Sequence, residues 1–224
     1  MAIEQPAPTS ETTDDYPHEI HISIAPPDNP RLFLRVCEEL GVRPCVFDNE
    51  FANGQHLTDY LTASDYRTTT EAAMTEMRRL GQAFVESGLS VVREKIETSP
   101  TNPVSPRRDK DSPTPHQNSY FETHFDVHEI GRDWLGRLAL VQLMGPEEPI
   151  LLSVNRKKPD EFLATYRVYG TYYEDYMERF VDVRAKLADH YDITTADTEF
   201  AAYDSNPQHD KAWYESYKRM VVDK

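Results

Sequence analysis

The sequence predicts an α+β protein made of two tandem ferredoxin-like lobes, each with the order β-α-β-β-α-β and an antiparallel sheet. Two alternating segments carry a Glu-x-His motif, Glu19/His21 and Glu122/His124, and the motifs lie 103 positions apart. The same shift places an apolar helical stripe that begins near residue 71 on a second one that begins near residue 174. Because one shift fits a strand and a helix together, it indicates an internal duplication.

The first lobe is predicted over residues 17–97. Its first strand alternates, with three isoleucines on one face and Glu19, His21 and Ser23 on the other. Asn29 and Pro30 predict the start of a helix that ends at Gly41. The remaining elements are predicted as strands at 43–47 and 56–62, a helix from a capping box at 68–71 to a glycine stop at 88, and a strand at 89–97. In this topology the first strand is central.

The second lobe is predicted over residues 120–206, with strands at 120–127, 150–154, 162–169 and 198–203 and helices at 134–144 and 174–187. Residues 98–119 contain five prolines among polar residues, so we expect a linker that buries no face. Residues 1–16 are predicted to be a disordered acidic tail, and 207–224 a C-terminal segment.

The composition excludes several classes of protein. The 224 residues contain 24 Lys and Arg against 39 Asp and Glu, a formal charge of −15 that disfavours general nucleic-acid binding and anionic membranes. No apolar run approaches the ~20 residues that a membrane helix needs. The first residues lack a cationic start and an apolar stretch, so we expect a cytoplasmic protein in which Cys37 and Cys45 stay reduced.

The two Glu-x-His motifs are the main candidate site. Since each alternates with bulky apolar residues, its polar side chains face away from the helix-side core. If the two polar faces meet, Glu19, His21, Glu122 and His124 converge in one cleft between the lobes. The simpler alternative is that each motif is an exposed or salt-bridged strand face.

Basic residues beside the first motif favour an anionic ligand. The fourth strand places Arg93 and Lys95 next to His21, and guanidinium and ammonium groups commonly bind phosphate or carboxylate. Cross-strand pairing of these cations with Glu19 is the alternative. On the third strand His56 and Thr58 share a face with Tyr60, and we expect them to enlarge the site from the other side of the first strand.

The segment His21-Ile-Ser23 resembles a motif of the 2H phosphoesterases, in which strands of two related lobes each carry a histidine followed two residues later by a hydroxyl. The second motif, with Asp126 two residues after His124, lacks that hydroxyl. The resemblance implies a hydrolase in which one histidine is the general base and the other the general acid. It also implies that Ser23, with Arg93 or Lys95, holds a phosphodiester.

Two other functions stay open at this stage. Glu19, His21, Glu122 and His124 are suitable ligands for a divalent transition metal such as Mn, Fe, Ni or Zn, with water completing the shell. The cleft can also be a non-catalytic module that binds a small molecule or a protein. The sequence has no glycine-rich phosphate loop, GxSxG, HExxH or EF-hand motif, so the enzyme classes that those motifs mark are excluded.

Overall fold

The computed structural model describes residues 15–50, 56–129, 150–155, 161–189, 191–207 and 209. Within these ranges the chain forms eight strands and three helices. In chain order they are β1 (Tyr16–Ile24), α1 (Pro30–Leu40), β2 (Arg43–Glu50), β3 (His56–Thr68), α2 (Thr70–Glu86), β4 (Val91–Thr98), β5 (Tyr120–Glu129), β6 (Ile150–Asn155), β7 (Glu161–Tyr169), α3 (Tyr173–Ala188) and β8 (Tyr191–Asp204).

All eight strands join in one closed antiparallel barrel, in the order β1-β3-β2-β6-β7-β5-β8-β4. Within the first half of the chain the strands run β4-β1-β3-β2, and within the second half β8-β5-β7-β6. The halves join where β2 pairs with β6 and where β4 pairs with β8. Edge strands of open sheets carry unpaired backbone groups, and closure satisfies them.

The helices cover the outside of the barrel. Helix α2 packs Met77, Leu80 and Phe84 against Ile20 and Ile22 of β1, all of them fully buried. Helix α3 forms the equivalent core of the second half, with aromatic side chains prominent: Phe121, Phe125, Tyr166, Tyr176, Phe180 and Phe200. Since the apolar face of each strand turns outward to a helix, the alternate polar residues point into the barrel.

The predicted α+β class with an antiparallel sheet is confirmed. Helix α1 begins after Asn29, whose side chain accepts from the Arg31 amide, and Gly41 at φ 68° ends it. The prediction for α2 is wrong by one residue, because Thr69 rather than Thr68 provides the N-cap. Strand β1 is central as expected, between β3 and β4. The predicted helix at 134–144 and the tail at 1–14 lie outside the described residues.

Residues 99–119 contain neither helix nor strand, but they are packed against the fold. The expectation that this stretch buries nothing is wrong, because Asn102 and Ser105 are both buried. Asn102 donates to Thr98 Oγ1, and the Pro106 carbonyl accepts from the amide of Tyr173 at the start of α3. The polar groups of this segment can be buried because hydrogen bonds satisfy them.

None of the helices described here is long and apolar enough to cross a membrane.

Candidate functional site: a polar cavity inside the barrel

The barrel encloses a cavity of about 370 Å³. Seven of the eight strands contribute to its wall. The lining residues are Glu19, His21, Ser23, Phe47, Asp59, Leu61, Arg93, Lys95, Glu97, His124, Asp126, Leu163, Thr165, Arg167, Thr195, Asp197 and Glu199. A cavity of this size accommodates a small ligand, and its charged lining indicates that the ligand is bound with specificity.

Strand register determines which polar groups share a level of the cavity. In the first half, Glu19 of β1 lies opposite Glu97 of β4, and His21 lies opposite Lys95. In the second half, Glu122 of β5 lies opposite both Glu199 and Arg167. The predicted placement of the β4 cations beside β1 is therefore correct in register.

Arg93, the first of these cations, is committed to a buried network. Its guanidinium donates to both carboxylate oxygens of Asp204, at 3.0 and 2.6 Å, and to the Tyr120 hydroxyl at 3.0 Å. Tyr120 in turn donates to Asp204 at 2.8 Å. Burial alone raises the pKa of Asp204, but the bonds from Arg93 outweigh burial and lower it. Arg93 thus neutralises a carboxylate of the protein itself.

Lys95 and Arg167 are neutralised by a fully buried glutamate, Glu122. Lys95 Nζ donates to Glu122 Oε1 at 3.0 Å and also contacts Glu97 Oε1, while Arg167 donates twice to Glu122 Oε2, at 2.9 and 2.6 Å. Burial favours protonation of Glu122, yet Arg167 and Lys95 hold its pKa well below the usual value. For Lys95, burial lowers the pKa, but Glu122 and Glu97 outweigh burial and raise it. Both groups are therefore charged at neutral pH.

His21 is held in one tautomer by the backbone. Its Nδ1 lies 2.9 Å from the Thr62 carbonyl, which only accepts, so Nδ1 carries a proton. Its Nε2 faces the cavity and lies 2.6 Å from Glu97 Oε2. His124 is fixed from the other half, with Nδ1 hydrogen-bonded to Thr165 Oγ1 at 3.0 Å and Nε2 3.9 Å from Glu122 Oε1.

Carboxylates outnumber cations in the described part of the cavity wall. After Arg93, Lys95 and Arg167 are paired, Glu199 still lies in the cavity without a cation bound to it. Burial raises the pKa of Glu199 to about 8, and repulsion from Glu97 adds to the effect despite Lys95 nearby. Glu199 is therefore mostly protonated at neutral pH, because this end of the cavity disfavours a further negative charge.

Three side chains at that end form a ligand set. One donor atom from each of Glu97, His124 and Glu199 lies within 4.8 Å of the other two. Two donors that share one ion are at most about 4.2 Å apart at metal–ligand distances near 2.1 Å. In a tetrahedral shell the donors lie about 3.4 Å apart, so the three side chains share one ion after they approach one another by up to about 1.4 Å.

The structure brings together most of the residues predicted for the site. Glu19, His21, Ser23, Arg93, Lys95 and His124 all line the cavity, and Glu122 lies buried directly behind its wall. Glu19, however, pairs with the exposed Arg43 at 3.1 Å, and Glu122 accepts from Lys95. The carboxylates of both glutamates are therefore already paired with cations of the protein. The alternative pairing of Arg93 and Lys95 with Glu19 is not found either, because their partners are Asp204, Glu97 and Glu122.

Thr58, which the sequence predicts for the site, is not among the described residues that line the cavity. Its neighbour at the same face, Tyr60, lies opposite Ile24 and packs edge-on against Phe33, with ring centroids 5.6 Å apart, so this face of β3 turns to helix α1. Asp59 and Leu61 line the cavity instead. The side chain of His56, the other predicted residue of this strand, lies outside the described part of the structure.

The comparisons with known proteins are distant. No protein-family model matches the chain, and no curated protein matches it. A "putative monooxygenase" from Lactobacillus acidophilus is 12% identical, with a TM-score of 0.27 over 83% of this chain and 93% of that one. One of the same description from Fusobacterium nucleatum is 12% identical, with a TM-score of 0.28 over 83% and 91%. A heme-binding protein from Thermus thermophilus is 12% identical, with a TM-score of 0.29 over 89% and 95%. At TM-scores this low, none of them assigns a function to the cavity.

Proposed function

We propose that the protein is a metal-dependent enzyme that binds one divalent transition metal ion through Glu97, His124 and Glu199 and acts on a small molecule inside the barrel. One observation supports this above all: these three donors come within 4.8 Å of one another at a place where the cations of the wall are already paired. Mixed nitrogen and oxygen donors suit Mn, Fe, Ni or Zn.

The charge balance favours a cation over the anionic substrate suggested by the sequence. Arg93, Lys95 and Arg167 each bind a carboxylate of the protein, so an incoming phosphate must displace Asp204, Glu97 or Glu122. Displacement from Glu122 is costly, since a fully buried carboxylate that loses its partners is strongly destabilised. A divalent cation, in contrast, stabilises the ionised carboxylates of Glu97, which also contacts Lys95, and of Glu199, whose proton it displaces.

The proposed site leaves chemistry open at the ion. Glu97, His124 and Glu199 would hold the ion and leave positions for water or a substrate oxygen, which a bound ion would polarise. His21 is positioned by the Thr62 carbonyl and contacts Glu97, so it orients one of the ligands from behind. In this proposal His21 is a positioning residue, and His124 a ligand.

Metal analysis tests the proposal directly. The protein is purified without chelator and its metal content measured; it is then stripped with EDTA and titrated with Mn²⁺, Co²⁺ and Zn²⁺ by calorimetry. We expect one ion per chain, and we expect His124→Ala and Glu199→Gln each to weaken binding by more than about 100-fold, the upper range for loss of an outer partner.

Two control variants separate this ligand set from the one the sequence suggested. Glu19→Gln removes a carboxylate from the same cavity wall, and His116→Ala removes an exposed imidazole from the 99–119 segment. Both variants are expected to keep the ion. Absence of stoichiometric binding, or loss of the ion in Glu19→Gln but not in Glu199→Gln, contradicts the proposal.

We also infer that the halves are tandem ferredoxin-like lobes from a duplication, with residues 17–97 and 120–206 as the two units. The identical strand order in the halves and the matching Glu-x-His positions on β1 and β5 support this inference. Separate expression of the two units tests it. Each unit is expected to form native-like secondary structure on its own, and the two units are expected to recombine into a barrel on mixing.

A further inference from the structure

Resting on the proposed metal site, we propose that the substrate is a small organic molecule with an oxygen-donor head group that binds the ion and a short apolar tail that contacts Phe47, Leu61 and Leu163. These three side chains line the same cavity as the proposed ligands. They are the large apolar groups among its described lining residues.

Strand register separates the apolar side chains from the proposed ligands. Leu163 of β7 lies opposite Asp126 on β5, two residues beyond His124. Leu61 of β3 lies opposite Ser23 on β1, four residues beyond Glu19, which itself lies opposite Glu97. Since each strand residue advances about 3.3 Å, Leu163 begins about 7 Å along the barrel from the level of His124. The cavity thus has an acidic end, where the proposed ligands lie, and a second end where Leu61 and Leu163 lie beside Ser23 and Asp126.

Phe47 extends the apolar region toward solvent. It lies opposite Asp59, two residues beyond Leu61 and further from the acidic end. Its side chain is 38% exposed, although it also lines the cavity. An exposed aromatic ring at a cavity wall has apolar area that a ligand can cover, and covering it is favourable.

The cavity volume limits the size of this ligand. At about 30 Å³ per water molecule in the liquid, 370 Å³ holds roughly a dozen waters. A ligand of comparable heavy-atom number has a bidentate or monodentate oxygen head and an acyl or aryl tail of about five to eight carbons. Such a tail bridges the ~7 Å between the level of His124 and that of Leu163.

Alkyl hydroxamates of increasing length are suitable probes, because the hydroxamate head chelates transition metals whatever the tail. The zinc-loaded full chain is titrated by calorimetry with aceto-, butano-, hexano- and octanohydroxamate. We expect the affinity to rise about three- to fourfold for each methylene that reaches the apolar side chains, the value for full burial of a CH₂ group. The rise is expected between the butano and octano compounds.

Variants of the tail site provide the decisive comparison. Phe47→Ser is expected to weaken octanohydroxamate at least fivefold and to leave acetohydroxamate unchanged; Leu163→Thr, at a half-buried position, repeats the test. Leu34→Ser, which removes an exposed side chain on α1 away from the cavity, is the matched control.

The outcomes distinguish the two proposals. If zinc binds but the affinity does not depend on chain length, or if Phe47→Ser weakens both compounds equally, the tail site is wrong and the metal site stands. If the chain binds no zinc, or binds hydroxamates equally with and without it, the proposed metal function is wrong.

Discussion

The two Glu-x-His motifs occupy corresponding positions on β1 and β5, but the barrel gives them different surroundings. Glu122 is fully buried between Lys95 and Arg167, whereas Glu19 keeps partial exposure and pairs with Arg43 at the surface. His21 lies opposite Lys95 and His124 opposite Asp197. His21 therefore contacts a carboxylate, that of Glu97, which already binds Lys95. His124 instead lies among several carboxylates.

This difference indicates how one motif can acquire two tasks. Glu122 neutralises cations from both halves of the chain, so it serves the stability of the barrel. The carboxylates that approach His124 are Glu199, on the adjacent strand β8, and Glu97, on β4 beyond it. The second motif provides His124, and the neighbouring strands provide the two carboxylates of the proposed site.

The largest expected effect comes from the buried motif. Glu122→Gln removes the charge shared by Lys95 and Arg167, and breaking a buried pair by removing one partner typically costs about 3–5 kcal/mol. Glu19→Gln removes only an exposed pair with Arg43, worth about 0–1 kcal/mol. Urea unfolding of the two variants measures the difference. Equal losses would show that the two motifs have the same role.

The junction of the halves gives the next effect. Asp204 on β8 accepts from Arg93 on β4, so Asp204→Asn weakens a charged hydrogen-bond network that crosses from the first half to the second. We expect a loss of about 2–3 kcal/mol in the free energy of unfolding. Glu76→Gln, which disturbs the surface pair with Arg79 within α2, is the control and should cost less than about 1 kcal/mol. A loss no greater than that of the control contradicts a role in joining the halves.

A pH effect of intermediate size is expected from Glu199. Its pKa of about 8 in the folded protein exceeds the unfolded value near 4.5, so its contribution to stability is complete below pH 4.5 and is lost as the pH rises to 8. Glu199→Gln removes this loss of stability at high pH, because glutamine does not ionise. In EDTA the variant should gain on the order of 1–3 kcal/mol relative to the native protein between pH 4.5 and 8, allowing for partial exposure.

Urea unfolding at both pH values measures this gain. Glu38→Gln, at an exposed position on α1, is the matched control and should run parallel to the native protein. If Glu199→Gln gains no more unfolding free energy at pH 8 than at pH 4.5, the ionised Glu199 carboxylate does not destabilise the folded protein, and the prediction is wrong.

Alternation predicts the polar faces of β1 and β5, and the β-α-β-β-α-β order predicts that Arg93 and Lys95 of β4 neighbour Glu19 and His21 of β1. Alternation failed for β3, because both faces of that strand mix polar and apolar residues: Thr58 and Tyr60 on one, Asp59 and Leu61 on the other. Nothing in the sequence identifies which strand edges pair between the halves, so barrel closure and the meeting of Glu97 with Glu199 were not predicted. Their spacing of 102 positions, close to that of the motifs, was the available signal.

The smallest expected effect concerns how the corresponding helices of the two halves begin. Thr69 caps α2 by accepting from the Ala72 amide, while Tyr172, 103 positions later, makes no side-chain cap for α3. The 99–119 segment substitutes for it: the Pro106 carbonyl accepts from the Tyr173 amide, and the Arg108 amide donates to Glu174. Thr69→Ala should therefore cost about 1 kcal/mol, the usual value of an N-cap. Tyr172→Thr adds a capping hydroxyl where the local backbone is already extended, so it should be neutral or stabilising by a few tenths of a kcal/mol. Thermal unfolding of both variants tests the difference, and a cost in Tyr172→Thr as large as that in Thr69→Ala would mean that Tyr172 packing, rather than the segment, secures the start of α3.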